Sequence, residues 1–416
     1  MKVYDASGRL KVAAEASFAD DAHIDAFGRL RVSTPVGLFD SQFQYDLNPL
    51  LWEAKTVNSG TVTFDSNGYA LLYVDGTSGD EAIHQSRQYI RYQPGRSQLI
   101  LLTFNLTDTG TNVQTHIGYG DASNGIFFRV TNTALALVQR DATNDTVVQQ
   151  ADWSYDKFDG TGPSGVTLDI TKSQIFWIDL EWLGVGRVRC GFVIDGQLYM
   201  AHEFLFANIG TGTYMQTANL PIRYQIVNTG NGSAGSLTQI CSAVFSEGGF
   251  ETDRGYPFSF GNSTTGISVT ARRAILSIRP KATFNSIVNR GAILPESMDL
   301  TTSSAASQIV FWELVYNPTY TTGGGALTWT SANANSIIEY SIHADANAGA
   351  FTGGTRIKCG YVPSANSGRI ALEKEIVSRL PLCLDIAGAN PRALALVCTA
   401  TGATTCYGAL NWRELR

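Results

Sequence analysis

Apolar and polar residues alternate along most of this chain with a period of two. Phe176, Ile178, Leu180 and Trp182 fall on one parity, and Trp177, Asp179 and Glu181 on the other. That is the pattern of a β-strand with two unlike faces. Val188, Cys190, Phe192 and Ile194 repeat it, and Asp195-Gly196 then supplies the dipeptide of a tight hairpin turn. Leu198, Met200 and Phe204 carry the alternation beyond the turn. Residues 99–104, 126–130 and 135–138 are further predicted strands, followed in the second half by 274–278, 308–315, 326–330, 337–342 and 394–397. One stretch reads as a helix, 371–380, carrying Glu373, Lys374 and Glu375 and stopping before Pro381. Many short strands separated by turns predict an all-β protein of sandwich type, jelly-roll or concanavalin-like, rather than a βαβ fold.

The first forty residues repeat themselves. Asp5-Ala6-Ser7-Gly8-Arg9-Leu10-Lys11-Val12 returns as Asp25-Ala26-Phe27-Gly28-Arg29-Leu30-Arg31-Val32. Each copy reads as a turn with a Gly, then a short strand alternating apolar and basic residues. Two such strands are marginal alone in water, so the segment needs something to pack on. We read residues 1–40 as an extended attachment arm with a duplicated turn-strand motif. Residues 41–255 form a first β-sandwich domain and 256–416 a second. The Gly-rich stretch around Glu247-Gly248-Gly249-Phe250 and Asp253-Arg254-Gly255-Tyr256-Pro257 serves as the linker. Gly323-Gly324-Gly325 marks a loop within the second domain.

Composition narrows the function classes. With 416 residues the chain has length for two or more cores. Charged residues make up only 16%, against about 25% in ordinary globular proteins, and hydroxyl and amide side chains take their place. A net charge of −6 gives no basic footprint for nucleic acid. There is no apolar run at the N-terminus for a secretory signal, and none of about 18 residues for a membrane span. The chain is thus read as made in the cytosol yet composed like an exposed protein, which a virus particle component reconciles. The six cysteines, Cys190, Cys241, Cys359, Cys383, Cys398 and Cys406, form no Cys-x-x-Cys and lie near no His in sequence. They read as buried free thiols, with a disulfide formed after release as the alternative. No cofactor or metal is expected.

Candidate chemistry is sparse. Gly160-Thr161-Gly162-Pro163-Ser164-Gly165 matches G-x-G-x-x-G. It holds a Pro and precedes β-branched residues, so it reads as a long loop entering a strand rather than a nucleotide site. Trp177-Ile178-Asp179-Leu180-Glu181 resembles the Glu-Ile-Asp-x-x-Glu strand of concanavalin-like glycoside hydrolases. The nucleophile position is occupied by Trp177, and Asp179 and Glu181 share a face that otherwise reads as the solvated side of an antiparallel sheet. The histidines, His23, His84, His116, His202 and His343, are scattered, and His202-Glu203 lacks the spacing of a zinc site. Tyr89, Tyr92, Trp153, Tyr155, Trp177 and Trp182 are candidates for stacking on sugar rings, against the commoner role of core aromatics. Arg87, Arg91 and Arg96 cluster around Tyr89, Tyr92 and Pro94-Gly95, a candidate interface for an acidic partner or an Arg-rich turn tied to local carbonyls.

Several stretches resemble a family of tailed-phage virion proteins frequent in phages of aquatic bacteria. They are Asp25 to Ser33, Leu38-Phe39-Asp40, Tyr92 to Gln98, and the run from Gly162-Pro163-Ser164-Gly165 to Trp182-Leu183-Gly184-Val185-Gly186-Arg187-Val188-Arg189. The resemblance covers roughly residues 24–250. It implies a structural protein of the particle surface, a head fibre, decoration protein or tail-associated fibre, and supplies no catalytic residues.

The sequence reading is therefore a non-enzymatic virion protein exposed on the particle. Arg9, Leu10, Val12, Phe27, Arg29, Leu30 and Val32 are its candidate attachment residues toward capsid, neck or tail proteins. A homo-oligomer is expected, a homotrimer by analogy with fibres. Host-surface glycan recognition for host attachment is the alternative function, and a concanavalin-like glycan hydrolase the further one. Neither nucleic-acid binding nor membrane insertion is expected.

Overall fold

In the computed structural model the described residues are 3–4, 10–11, 25–26, 34–251, 255–304, 307–320, 327–343, 351–363, 367–371, 380 and 382–416. The period-two alternation is realised as antiparallel strands whose apolar parity meets across paired sheets. In the first sandwich, a seven-stranded sheet runs in the order Asn144–Gln149, Ala134–Asp141, Gly125–Thr131, Val113–Gly120, Ile222–Asn228, Glu81–Ser86 and Trp52–Val57. The facing eight-stranded sheet runs Gln197–Phe204, Val188–Ile194, Gln174–Leu180, Ser97–Thr109, Gly235–Glu247, Tyr69–Val74 and Thr61–Asp65, with Val36–Gln42 also paired to Gly235–Glu247. Phe128 of the first sheet meets Phe176 and Phe192 of the second at ring-centroid distances of 5.7 and 5.3 Å, all three fully buried. Each such side chain contributes on the order of 1.5–3 kcal/mol. Asp195 and Gly196 both take positive φ, +51° and +82°, as the predicted hairpin turn requires.

The second sandwich repeats the architecture on a smaller scale. Its five-stranded sheet places Thr404–Leu415 between Tyr256–Gly261 and Ala292–Ser303, with Ser367–Ala371 beyond and Ile267–Val269 also on Thr404–Leu415. Its six-stranded sheet runs Thr330–Ser331, Ile338–Ser341, Arg273–Pro280, Leu394–Ala400, Ile309–Tyr316 and Thr355–Pro363. Between them Leu276, Leu300, Leu396 and Trp412 form a separate core. The protein is thus all-β with two sandwiches, each around its own core.

Some sequence expectations need correction. Of the strand predicted at 326–330, only Thr330–Ser331 pairs among the described residues, because Ile338–Ser341 offers it a two-residue ladder. The predicted strand after Gly165 is a single bridge, Asp159 to Thr167; the loop instead winds around the Asp156 carboxylate, which accepts from the Phe158 and Ser164 amides at 2.8 and 2.7 Å. The expected helix lies outside the described residues except for Ala371, which ends a strand, and Leu380. The Gly323–Gly325 loop also lies outside them. The first sandwich already begins at Val36, and Phe39 is in its core.

The sandwiches meet at a junction. The Arg290 guanidinium lies 4.4 Å over the Tyr89 ring, and the Ile386 amide donates to Glu53 Oε1 at 3.3 Å. A cavity of about 230 Å³ remains there, walled by Leu38, Ile90, Arg91, Ile293 and Leu382.

Candidate functional site

The strand Gln174–Leu180 carries the carboxylate that hydrolase chemistry would need, and its surroundings rule on its use. Asp179 stands directly opposite Arg189 in the ladder. Arg189 Nη2 meets Asp179 Oδ2 at 2.5 Å, and both side chains are fully buried. Ser97 Oγ donates to the other carboxylate oxygen. The expected solvated face is therefore wrong at this position. The outer face of this sheet carries an ionic row, and beside it a small apolar cluster of Trp177 and Met200 with Leu99, Leu101, Val193 and Leu198. Glu181 is half-buried, and burial raises its carboxyl, with the charges of Asp25 and Asp179 adding to the rise.

Asp25 lies over this row, although 154 residues separate it from Asp179. Asp25 and Ala26 are 4% and 2% exposed. Arg187 Nε donates to the Ala26 carbonyl at 2.7 Å, and Glu203 holds the same guanidinium at 3.4 Å. Tyr155 in turn donates to Glu203 at 2.6 Å. The start of the second motif copy is thus seated on the body of the first sandwich. Of the predicted attachment residues, Leu10 falls in a two-residue strand, Leu10–Lys11, paired with Val3–Tyr4. Arg9, Val12, Phe27, Arg29, Leu30 and Val32 lie outside the described residues.

Arg87 and Arg96 of the predicted interface are paired within the chain. Arg87 pairs with Glu53 at 2.6 Å and donates to the Pro49 carbonyl, Arg96 pairs with Glu251 at 2.8 Å, and Arg91 lines the junction cavity. Arg87 also feels the charge of Arg392 from the second sandwich. Tyr89, Tyr92, Trp153 and Trp177 are buried, Trp182 packs against the core, and Tyr155 is exposed. His202 Nδ1 meets Ser154 Oγ at 2.6 Å, but among the described residues no hydrogen bond joins His202 to a carboxylate, so no triad forms.

Sequence reading missed a polar cluster on the outer face of the seven-stranded sheet. His116 pairs in register with Arg129 on one side and Gln225 on the other. Arg140 faces Asp145, and Arg223 faces Gln85. Phe127 lies against Gly118, Gly120 and Gly125, where any Cβ would come within 2.8 Å of its ring. The Arg140 guanidinium sits 5.1 Å from the Phe127 ring centroid. Asp145 takes Arg140 at 2.7 Å and Arg129 at 3.5 Å, whereas Arg223 reaches the neutral amides of Gln85 and Gln225 at 2.9 and 3.1 Å. Burial, together with the Arg140 and Arg129 charges, pushes the His116 pKa down to about 3, so it stays neutral. The Arg129 Nε and His116 Nδ1 atoms are buried without a hydrogen-bond partner. Asp145 thus contacts two of the three guanidiniums, while the charges of Glu81 and Asp121 act on Arg223, and Gln225 between them donates to Glu81 at 2.5 Å. These residues come from strands scattered between 113 and 228, so no local motif announces them.

None of the six cysteines is in a disulfide. Cys190, Cys398 and Cys406 are buried, but Cys241 and Cys359 are exposed, because they fall on the outward parity and on an edge strand respectively. Among the described residues no group of three His, Cys, Asp or Glu is placed to hold a metal ion. None of the described helical residues forms a segment long and apolar enough to cross a membrane.

No protein-family model and no curated protein sequence matches the chain. Solved structures similar to it include a glycosyl hydrolase family protein from Mycobacterium fortuitum, at 10% identity and TM-score 0.36, over 50% of this chain and 99% of that one. A legume lectin-like domain from Entamoeba histolytica matches at 12% identity and TM-score 0.32, over 52% and 100%. The CBM2 module of the evolved Dit of Lactobacillus casei BL23 phage J-1 matches at 8% identity and TM-score 0.35, over 53% and 99%. Likeness at this level transfers no activity.

Proposed function

We propose that this chain is a non-enzymatic structural component of a bacteriophage particle, a fibre or decoration protein on the virion surface. It docks through its N-terminal arm and projects two β-sandwiches. The observation that carries the reading is the seat at Arg187, where Asp25 and Ala26 tie the arm to the first sandwich. An arm held at its base and carrying a second copy of a sticky motif is built to join the body to something else. The burial and ion pairing of Asp179 support a non-enzymatic role, since a catalytic carboxylate must reach its substrate. The partners are other virion proteins, and a homotrimer is the proposed assembly. The test is incorporation into particles. Full-length chain is expected to co-purify with particles, and a chain lacking residues 1–33 is expected to fold and remain unincorporated. Equal incorporation of the two would sink the arm as the attachment device, and absence of the full-length chain from particles would sink the virion reading.

A second reading, recognition of an acidic host-surface glycan, is favoured by the convergence of Arg129, Arg140 and Arg223 on one outer face. Here the Arg140→Ala chain should lose binding to carboxylated or sulfated saccharides on a glycan array while binding to neutral ones is unchanged. An array on which the wild-type chain retains no acidic saccharide ends this reading.

A further inference from the structure

The strands Leu394–Ala400 and Thr404–Leu415 follow one another in the chain but lie in different sheets of the second sandwich. Residues 401–403 alone join them, so the two sheets meet at a corner there. Leu394, Leu396, Cys398 and Ala400 face the core from one sheet, and Cys406, Leu410 and Trp412 from the other. The two strands are matched about the corner: a Cβ on Gly408 would stand 2.6 Å from Leu396 Cδ2, so position 408 faces position 396 across the core. Two residues nearer the corner on each strand stand Cys406 and Cys398. Side chains two apart on a strand share a face, so these two thiols face one another as well. Both have zero exposure. A disulfide needs Cα atoms about 4.4–6.8 Å apart, closer than the roughly 10 Å between the middles of facing sheets. A corner closed by three residues is where facing strands approach.

We infer that Cys398 and Cys406 are an oxidation site, closed by a small-molecule disulfide such as oxidised glutathione into a bridge that ties the two sheets of the second sandwich together at this corner. The Cys398 S–H donates to the Cys406 sulfur, which raises the Cys398 thiol well above its ordinary value, with burial adding to the rise, and lowers that of Cys406. The thiolate is the nucleophile in such exchange, so Cys406 reacts first, after giving its proton to water. Its sulfur attacks one sulfur of the oxidant; the S–S bond of the oxidant breaks, and one half leaves as a thiolate. The Cys398 thiol gives its proton to that thiolate, attacks the Cys406 sulfur of the mixed disulfide and displaces the second half, which takes up the proton released by Cys406. Two protein thiols are oxidised and one small disulfide is reduced to two thiols. Cys190 belongs to the other core, Cys241 and Cys359 are exposed, and Cys383 lines the junction cavity, so none of them competes for this pair within the fold. The pairing follows from the fold alone; the virion reading adds that the oxidant is met in the medium after release.

The test is equilibration of the full-length chain in a series of oxidised and reduced glutathione buffers, folded and in urea. Each sample is quenched with acid, unfolded, alkylated and digested with trypsin. Cys398 and Cys406 fall in one tryptic peptide, residues 393–413, and mass spectrometry reads the closed pair as the loss of two hydrogens with no alkyl group taken up. The folded chain should close the pair under conditions at least about tenfold less oxidising in glutathione than the unfolded chain needs, because a fold that holds the sulfurs together favours the bridge. An equal or greater demand for oxidant in the folded chain would show that the sheets hold the sulfurs apart, and would overturn the inference. In the Cys406→Ala chain, Cys398 should take up one alkyl group after unfolding in every buffer; a disulfide from Cys398 to any other cysteine of that folded chain overturns the assignment of the pair. If Cys406→Ala impairs folding by circular dichroism, Cys406→Ser carries the same comparison. No outcome here touches the incorporation result that tests the virion reading.

Discussion

Replacing Asp179 by alanine leaves the Arg189 guanidinium fully buried beside a strand that has lost the opposing carboxylate. Both side chains have zero exposure and meet at 2.5 Å, so solvent does not screen the charge left behind. Breaking one partner of such a pair costs about 3–5 kcal/mol, because a buried charge is left uncompensated. Arg189→Ala should cost a similar amount. The double substitution Asp179→Leu with Arg189→Met removes both charges together and should cost less than either single change. Buried thiols report on the two sandwiches separately: Cys190 lies in the first core, next to Arg189 in the chain, and Cys398 in the second. Alkylation of each across a urea series therefore gives one midpoint per sandwich. With a slope of about 1–3 kcal/mol per molar urea, each single substitution should lower the Cys190 midpoint by about 1–5 M and leave the Cys398 midpoint in place. A shift under about 0.5 M, or single losses that simply add in the double variant, would refute the ion pair as the organising contact of this face.

Three further outcomes are expected. His84 and His116 are buried, and burial holds their pKa values down to about 4 and about 3; the unfolded chain therefore binds protons first, near pH 6.5. Stability should be full above pH 6.5 and fall progressively as the pH drops through 4 to 3, and acid titration of His84→Gln should show a shallower loss between pH 6.5 and 4. Gly118→Ala would put a Cβ 2.0 Å from the Ile126 carbonyl oxygen and 2.8 Å from Phe127, so a loss of about 1–3 kcal/mol or more is expected in the Cys190 midpoint. In native protein, Cys241 and Cys359 should take up iodoacetamide rapidly, while Cys190, Cys398 and Cys406 stay unlabelled by mass spectrometry of the intact chain and its peptides.

The all-β class and the hairpin at Asp195-Gly196 were legible because both are written in neighbouring residues. Phe176, Ile178 and Leu180 do point into the core, as their parity predicts, and Phe176 meets Phe128 and Phe192 there. The same parity argument fails for Asp179, expected on a solvated face by the rule that one face of an antiparallel sheet is wet. What changes that face is supplied from elsewhere in the chain: Arg189 across the ladder, Ser97 on the next strand, and Asp25 from the arm. None of these separations is a motif spacing, so no window of sequence contains the reason.

The two charged faces of the first sandwich show why the polar parity of a strand does not by itself mark a site. On the eight-stranded sheet, Asp179 is matched by Arg189, and Glu203 by Arg187. A row of matched charges holds structure together and, at Arg187, has a donor directed at the arm's own backbone. On the seven-stranded sheet, Asp145 contacts Arg129 and Arg140, Arg223 instead reaches Gln85 and Gln225 under the charges of Glu81 and Asp121, and burial keeps His116 neutral beside them. The seat at Arg187 and the arginine cluster thus lie on opposite outer surfaces of one sandwich, so the docking and glycan readings proposed above can be tested in one chain with substitutions that share no face.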